Sequence, residues 1–165
     1  MEAGIGFMQN WSGQLFVVGT VAIAMLLGGI IGLEREMANK PAGFRTHMLL
    51  CGAAALITSL ADVLAEGFSV QDYSEFLRID PLRIVEAVVT GVAFLGAGTI
   101  FRSAGGNAVE GLTTATSLLL VSGVGIAVAM DQYVMAVGVT ILTYAVLKLI
   151  QMIELRIANK SNKPD

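Results

Sequence analysis

Uncharged apolar runs alternate along this chain with short charged linkers. Residues 14–33 contain no Asp, Glu, Lys or Arg, and residues 46–61 are again free of all four. Three further apolar runs follow, so the pattern predicts helices over residues 14–33, 46–64, 82–101, 112–130 and 133–150. About 20 residues, rising 1.5 Å each, cross a hydrocarbon core roughly 30 Å thick. The pattern therefore predicts an all-α, polytopic membrane protein with five transmembrane helices.

Composition agrees with a chain that lies mostly within a membrane. Only 14% of the 165 residues are charged and 55% are hydrophobic, and the mean hydropathy is +0.75. A soluble domain carries about 25% charged residues. We therefore expect one transmembrane domain over residues 1–155, followed by a short cytoplasmic tail over residues 156–165. Cys51 is the only cysteine, so an internal disulfide is impossible.

The placement of basic residues predicts an orientation. If the N-terminus lies outside, the outer segments hold only Arg78 and Arg83. The inner segments then hold the other eight basic residues: Arg35, Lys40, Arg45, Arg102, Lys148, Arg156, Lys160 and Lys163. Cytoplasmic loops carry the excess of Lys and Arg. The first 15 residues have no Lys or Arg, which argues against a cleaved signal peptide. We predict an external N-terminus and a cytoplasmic C-terminus.

The linker between the first two predicted helices is unusually rich in charge. Pro41 cannot continue a helix and Gly43 permits the chain to turn back. Anionic lipid headgroups favour basic residues at this interface, yet Glu34 stands beside Arg35. We interpret Glu34, Arg35 and Arg45 as a structural charge network. The alternative is that both arginines only anchor the topology.

Small residues repeat on the first and third predicted helices. The first helix carries four at intervals of four: Thr20, Ala24, Gly28 and Gly32. Small side chains let membrane helices approach at backbone distance. This stripe fits either packing within one subunit or a homodimer seam. On the third helix, Gly91, Gly96 and Gly98 form the surface where we expect the working contact of the protein.

The third predicted helix also carries charge. Asp80 and Pro81 suit the N-cap and first turn of a helix. Glu86 is the only carboxylate predicted inside a span, with Arg83 and Thr90 on roughly the same face. Intramembrane ionisable residues are costly and are functional candidates. The alternative is a local Arg83–Glu86 pair.

The outer segment from residue 62 to residue 80 is the most acidic part of the chain. Its apolar residues at helical spacing predict a short helix lying on the outer membrane surface: Val70, Tyr73, Phe76 and Leu77. An acidic loop of this kind can concentrate divalent cations electrostatically. Glu86 and Asp80 are therefore the candidate Mg²⁺ ligands. The alternative is that the acidity is the outer counterpart of the basic cytoplasmic side.

Three blocks of the sequence together resemble the MgtC/SapB family of bacterial inner-membrane proteins. They are GGIIGLERE followed by KPAGFRTHMLLCGAAAL, then DPLRIVEAVVTGVAFLGAGTI, then EGLTTATSLLLVSGVGIAV. Their order and spacing match those of the family across most of residues 28–130. The positions that match the family's motifs are Gly28, Gly32, Glu34, Arg35, Gly43, Arg45, Thr46, Asp80, Arg83, Gly91, Phe94, Gly96, Gly98, Gly111, Thr113 and Thr114.

The resemblance implies a five-span, multi-pass protein of the inner membrane that is tied to growth in low magnesium. In pathogens such proteins are linked to survival inside macrophages, and they are suspected of acting on the membrane ATP synthase. Many members also carry a cytoplasmic regulatory domain, which we do not expect here. No catalytic residue, cofactor or nucleic-acid partner is expected, Mg²⁺ being the one ligand considered.

Two classes of function fit these expectations. The first is a regulatory or interaction module that packs helices against another copy, with a dimer favoured, or against another membrane complex. The second is a small magnesium or cation carrier or channel that uses Glu86 and the acidic outer loop in an oligomer. Since Mg²⁺ requires near-octahedral oxygen ligands, one intramembrane glutamate per chain would need several subunits. An enzyme is not expected.

Overall fold

The described residues form a bundle of five helices with one short hairpin. The structure, a computed structural model, describes the backbone of residues 11–69, 81–102 and 109–161 and the side chains of residues 11–64, 82–102 and 109–153. The helices are α1 (Trp11–Met37), α2 (Phe44–Ser69), α3 (Pro81–Gly98), α4 (Leu112–Ala129) and α5 (Tyr133–Ser161). Between α3 and α4, strands β1 (Phe101–Arg102) and β2 (Val109–Glu110) pair antiparallel.

Helices α1, α2 and α4 pack around the main core. Its fully buried members include Ala24 and Ile31 from α1, Cys51 from α2, and Val121 and Val128 from α4. A smaller cluster joins α3 to this core through Val88, Val92 and Leu118. Helix α4 is the central element, because it contacts each of the other four helices.

The helices have the length and composition of a membrane protein. Within the described residues, four segments are long and apolar enough to cross a membrane: Trp11–Met37, Phe44–Leu64, Leu112–Ala129 and Tyr133–Ile153. The all-α membrane fold is therefore confirmed. The fifth crossing, by α3, and the orientation of the termini stay predictions.

Several predicted boundaries were wrong. Helix α1 continues beyond its predicted end at 33 to Met37, and α2 continues to Ser69, into the segment predicted as an outer loop. Helix α3 ends at Gly98 rather than at 101. Helix α5 continues beyond the predicted span to Ser161, and the cytoplasmic location of the tail from residue 156 stays a prediction. The predicted surface helix and Asp80 lie outside the described residues.

The two short interhelical turns depend on left-handed residues other than glycine. Asn39, between α1 and α2, has φ 53°, and Asp131, between α4 and α5, has φ 57°. The short side chains of Asn and Asp tolerate this conformation better than most. The turn at Asp131 agrees with the two-residue gap between the predicted helices 112–130 and 133–150. Gly43 was predicted as the residue that permits the first turn, but the positive φ is at Asn39.

Candidate functional site

The small-residue stripe of α1 is a seam against α2 within one subunit. A Cβ added at Gly28 would lie 2.6 Å from both Cys51 Cβ and His47 O. One added at Gly32 would lie 2.8 Å from His47 Cβ and 2.9 Å from Gly43 O. Real Cβ atoms do not approach this closely, so the seam requires glycine at both positions. Of the two interpretations, packing within the subunit is the one observed.

Glu34 and Arg35 form a buried ion pair at the end of this seam. Arg35 Nη1 lies 3.7 Å from Glu34 Oε2, and the two side chains are 4% and 1% exposed. Neither Glu34 Oε2 nor Arg35 Nε or Nη2 has a hydrogen-bond partner in the described structure. An under-bonded buried pair contributes little to stability, but removing one partner would leave the other charge uncompensated.

The predicted charge network was wrong about Arg45. Arg45 and the neighbouring motif residue Thr46 are exposed, and within the described residues Arg45 makes no ion pair with Glu34. Helix α2 begins at Phe44, so Arg45 lies on its first turn, where its side chain faces outward. The buried pair therefore consists of Glu34 and Arg35 alone.

The acidic residue that organises the start of α2 is Glu36. Its Oε2 accepts a hydrogen bond of 2.8 Å from the backbone N–H of Phe44. A Cβ at Gly43 would lie 2.8 Å from the same oxygen, so a side chain at this position would displace the Glu36 carboxylate. The first N–H groups of a helix have no partner within the helix, and a carboxylate satisfies one of them.

His47 joins α2 to α4 in the interior, a role that was not predicted from the sequence. The side chain is fully buried. Its Nδ1 lies 2.9 Å from Gly43 O and its Nε2 lies 3.0 Å from Ser117 Oγ. Because a carbonyl only accepts, Nδ1–H is the donor to Gly43. The repeated hydroxyl residues at the start of α4 were the one indication of this role in the sequence, because a buried histidine needs a polar partner.

Two hydroxyls of α4 lie within hydrogen-bonding distance of carbonyls of their own helix. Thr116 Oγ1 donates to Thr113 O at 3.0 Å. Ser117 Oγ lies 2.8 Å from Thr114 O, but its single proton can serve either this oxygen or His47 Nε2, not both at once. Thr114 is buried, whereas Thr113 is exposed. The motif residue Gly111 precedes α4 with φ 89° and lies against Thr99 O, so both its conformation and its surroundings require glycine.

The three predicted glycines of α3 separate into two environments. Gly96 is buried, and an added Cβ would lie 3.4 Å from Ala115 Cβ of α4, so this glycine faces the subunit interior. An added Cβ at Gly91 or at Gly98 would have no atom of the described residues within 4 Å. The prediction of one common contact surface was therefore wrong for Gly96.

Gly91 and Gly98 belong to an exposed surface that we call the open face of α3, formed by Ala87, Gly91, Phe94 and Gly98. All four residues are exposed, and Phe94 is 81% exposed. Their spacing of four, three and four residues places them along one side of the helix. The side of α3 that packs on α4 instead carries Val88, Val92 and Gly96.

The charged residues of α3 are exposed as well. In the described structure Arg83 and Glu86 make no ion pair, and Thr90 Oγ1 donates to the backbone oxygen of Glu86 at 2.7 Å. The described residues contain no group of three or more His, Cys, Asp or Glu side chains placed to share a metal ion. Asp80, the other candidate ligand, lies outside them. Glu86 as a Mg²⁺ ligand stays a prediction.

These features define a polytopic helical membrane protein. Its first two helices pack closely against each other, whereas much of the third helix is exposed. The model of the MgtC family matches residues 21–156. The chain belongs to the MgtC family. No solved structure matches this chain.

Relatives agree with this assignment. An uncharacterised protein of Haemophilus influenzae is 32% identical over 91% of this chain and 62% of its own length. YhiD of Escherichia coli K12, whose name marks it as a candidate magnesium transporter, is 32% identical over 84% of this chain and 62% of its own. Protein MgtC of Salmonella typhimurium is 37% identical over 72% and 46%. The chain thus spans less than two thirds of the length of these relatives.

Proposed function

We propose that this chain is an inner-membrane interaction module of magnesium homeostasis, and that it acts through helix contacts made by the open face of α3. The observation that carries this proposal is the uncovered pair Gly91 and Gly98 on either side of the exposed Phe94. By contrast, the seam glycines of α1, Gly28 and Gly32, are in close contact with α2.

The open face has the character of a transmembrane helix contact. Lipid gives no hydrophobic drive for helix association, so close backbone approach and van der Waals packing supply the attraction. Two glycines and Ala87 leave shallow positions where a partner's side chains can enter, and Phe94 can enter the partner. The spacing of four, three and four residues is that of helices crossing at about 20°.

The link to magnesium comes from the relatives. The family includes proteins named MgtC and a candidate magnesium transporter, YhiD. The sequence resemblance implies growth in low magnesium as the process served, with a second copy or a membrane complex such as the ATP synthase as partner. A module that regulates a larger complex needs an exposed, packable surface, which the open face supplies.

The test compares growth with the amount of inserted protein. Gly91→Leu and Gly98→Leu place a branched side chain where a partner backbone would approach, and at both positions the new Cβ has no described neighbour within 4 Å. Because Gly91 also lines a cavity of about 270 Å³ against α2, Gly98→Leu is the cleaner of the two variants. We expect both variants to insert at wild-type level and to lose growth support in low magnesium. Gly19→Leu on α1 is the matched control, since Gly19 is also exposed with nothing within 4 Å. Normal growth of both α3 variants would falsify the proposal.

The exposure of Glu86 favours a second candidate, a cation carrier or channel assembled from several chains. An unpaired carboxylate five residues into a membrane-associated helix could contribute one oxygen ligand per subunit. Purified protein in liposomes loaded with a Mg²⁺-sensitive dye tests this function directly. A carrier shows influx that Glu86→Gln reduces, whereas an interaction module shows influx no faster than protein-free liposomes.

A further inference from the structure

The cavity that α3 shares with α2 lies beside the open face. Its volume is about 270 Å³ and all of its lining residues are apolar. A cavity of roughly 150 Å³ with apolar walls accepts benzene, so this one has room for an aromatic ring. Five of the lining residues are exposed, which places the opening on the surface of the bundle: Ala53, Ile57, Ala87, Gly91 and Leu95.

The open face carries a ring that matches this cavity. Phe94 is 81% exposed, more than any other large hydrophobic residue of α3 that the structure describes. Helical side chains lean toward the N-terminus of their own helix, so this side chain extends back toward the level of Gly91. The α3 wall of the cavity runs from Ala87 to Leu95, with Gly91 at its middle. The ring and the cavity therefore lie at the same depth along α3.

The ring and the cavity lie on opposite flanks of one line along α3. At about 100° per residue, Phe94 is turned about 60° from Gly91 in one direction. Leu95 and Val88, which line the cavity, are turned about 40° and about 60° in the other direction. Gly98 lies only about 20° from Gly91, on the side of Phe94. A line between the two glycines thus has the ring on one flank and the cavity on the other, each roughly 50–60° away.

Two-fold symmetry brings these flanks together. Two copies inserted in the same orientation are related by an axis along the membrane normal, and the same patch then meets itself. Helices that face each other across this axis lie at equal depth, and each flank of one contacts the opposite flank of the other. Phe94 of each copy therefore meets the cavity of the other, while Gly91 and Gly98 let the two backbones approach. Such a surface is self-complementary, as an isologous interface requires.

We propose that α3 forms a homodimer interface in which Phe94 of each copy occupies the α2–α3 cavity of the other. This inference rests on the proposed function and names the partner of the open face as a second copy of the chain. Inserting one ring buries about 150 Å² of Phe94 and roughly as much of the surface that receives it. Two insertions bury about 600 Å², half the area of a small specific interface of about 1,200 Å². The α3 backbones along the glycine line add to this area.

Energy transfer between copies measures the dimer. The full chain, labelled with a donor or an acceptor on a C-terminal tag, is reconstituted in liposomes and diluted with lipid. Phe94→Ala should raise the dissociation constant at least about tenfold, because both cavities lose their occupants. Phe16→Ala, at an exposed phenylalanine of α1, is the matched control and should dissociate as the wild type does. Energy transfer no greater than that of randomly placed monomers overturns the proposal, and so does equal dissociation of the two variants.

An exchange of side-chain size tests the fit of the ring to the cavity. Ala53→Phe fills the cavity from α2, so the incoming Phe94 has no room and dimerisation should weaken at least about tenfold. The double variant Ala53→Phe/Phe94→Ala fills the cavity and removes the ring, so it should dimerise more tightly than either single variant. Ala145→Phe, at an exposed position of α5, controls for the added bulk. A double variant that dimerises no more tightly than Ala53→Phe alone overturns the assignment of the ring to the cavity.

Crosslinking tests the position of the axis without changing the cavity. Gly98→Cys places a thiol of each copy beside the proposed axis, and two cysteines form a disulfide when their Cα atoms lie about 4.4–6.8 Å apart. Ala93→Cys is the control, because position 93 is exposed but lies about 150° from the glycine line. Cys51 is fully buried and does not compete. Oxidation should give a covalent dimer with Gly98→Cys, and equal crosslinking of the two variants overturns the two-fold arrangement.

Growth separates this inference from the proposed function. If the full chain stays monomeric while Gly98→Leu still loses growth in low magnesium, the homodimer is overturned and another membrane protein is the partner. If Gly98→Leu dissociates a dimer without loss of growth, the homodimer is supported and the proposed function is contradicted.

Discussion

The α1–α2 seam and the open face of α3 use the same small residues in opposite ways. At the seam, a Cβ added to Gly28 or Gly32 would collide with backbone and Cβ atoms of α2 at 2.6–2.9 Å. On α3, a Cβ added to Gly91 or Gly98 would meet no atom within 4 Å in the part of the chain that the structure describes. Glycine is therefore a requirement of folding in the first region, but the folded subunit imposes no such requirement in the second.

This difference separates stability from function within one small protein. A glycine in a helix costs roughly 0.5–1 kcal/mol relative to alanine, so some gain should offset it. At the seam the gain is close packing inside the subunit. On the open face the described subunit supplies no such gain, and the proposed contact with a partner helix would supply it.

The largest effect is expected at the buried pair that ends the seam. Arg35→Leu leaves the Glu34 carboxylate buried without its cation, which typically costs about 3–5 kcal/mol. We expect little folded protein in detergent, measured as the monodisperse fraction on size exclusion. The double variant Glu34→Leu/Arg35→Leu removes both charges and should recover most of the folded yield. If the double variant gives no more folded protein than Arg35→Leu alone, the pair contributes through side-chain packing and not through charge compensation.

Gly28→Ala comes next, since the new methyl has to displace Cys51 Cβ and the backbone oxygen of His47. Overpacking of this kind costs about 1–3 kcal/mol, so the thermal unfolding midpoint should fall. Gly19→Ala on the same helix has an open position and is the matched control. Equal midpoints for the two variants would show that the seam can relax, and the contrast between the two regions would disappear.

Much of this fold could be predicted from sequence, and the errors have specific causes. The apolar runs predicted every helix, because hydropathy and length decide what a membrane accepts. They did not give the ends of α2 and α5, where charged residues continue the helix. Gly91, Gly96 and Gly98 looked alike in sequence, because spacing alone did not reveal which side of α3 meets Ala115.

The same limit applied to the polar residues. Arg35 and Arg45 were grouped by chemistry, but the turn at Asn39 and the start of α2 leave Arg45 on the outside. The hydrogen bond of His47 was not predicted, since its partner Ser117 is 70 residues away in the sequence. A hydrogen bond between distant helices depends on their packing, which local patterns do not encode.

A smaller effect is expected at the turn beside the seam. Glu36→Ala removes the acceptor of the Phe44 N–H, and loss of such a cap costs about 1 kcal/mol. The thermal midpoint should fall slightly, while Glu36→Gln, which keeps a side-chain oxygen, should lie between Glu36→Ala and wild type. If Glu36→Ala unfolds at the wild-type temperature, water accepts the hydrogen bond of the Phe44 N–H equally well, and the Glu36 carboxylate does not stabilise the fold.

The smallest effect, opposite in sign, is expected on the open face. Gly91→Ala adds a methyl that meets nothing and restrains the helix, so purified protein should be unchanged or stabilised by roughly 0.5–1 kcal/mol. Growth in low magnesium should fall only slightly with this alanine and be lost with Gly91→Leu, because a partner helix tolerates one methyl better than a branched side chain. The measurement pairs thermal midpoints with growth across glycine, alanine and leucine at this position. If growth and the thermal midpoint fall together across the three residues, Gly91 is required for folding, as Gly28 is. If growth falls while the thermal midpoint stays the same or rises, Gly91 makes a contact outside the subunit.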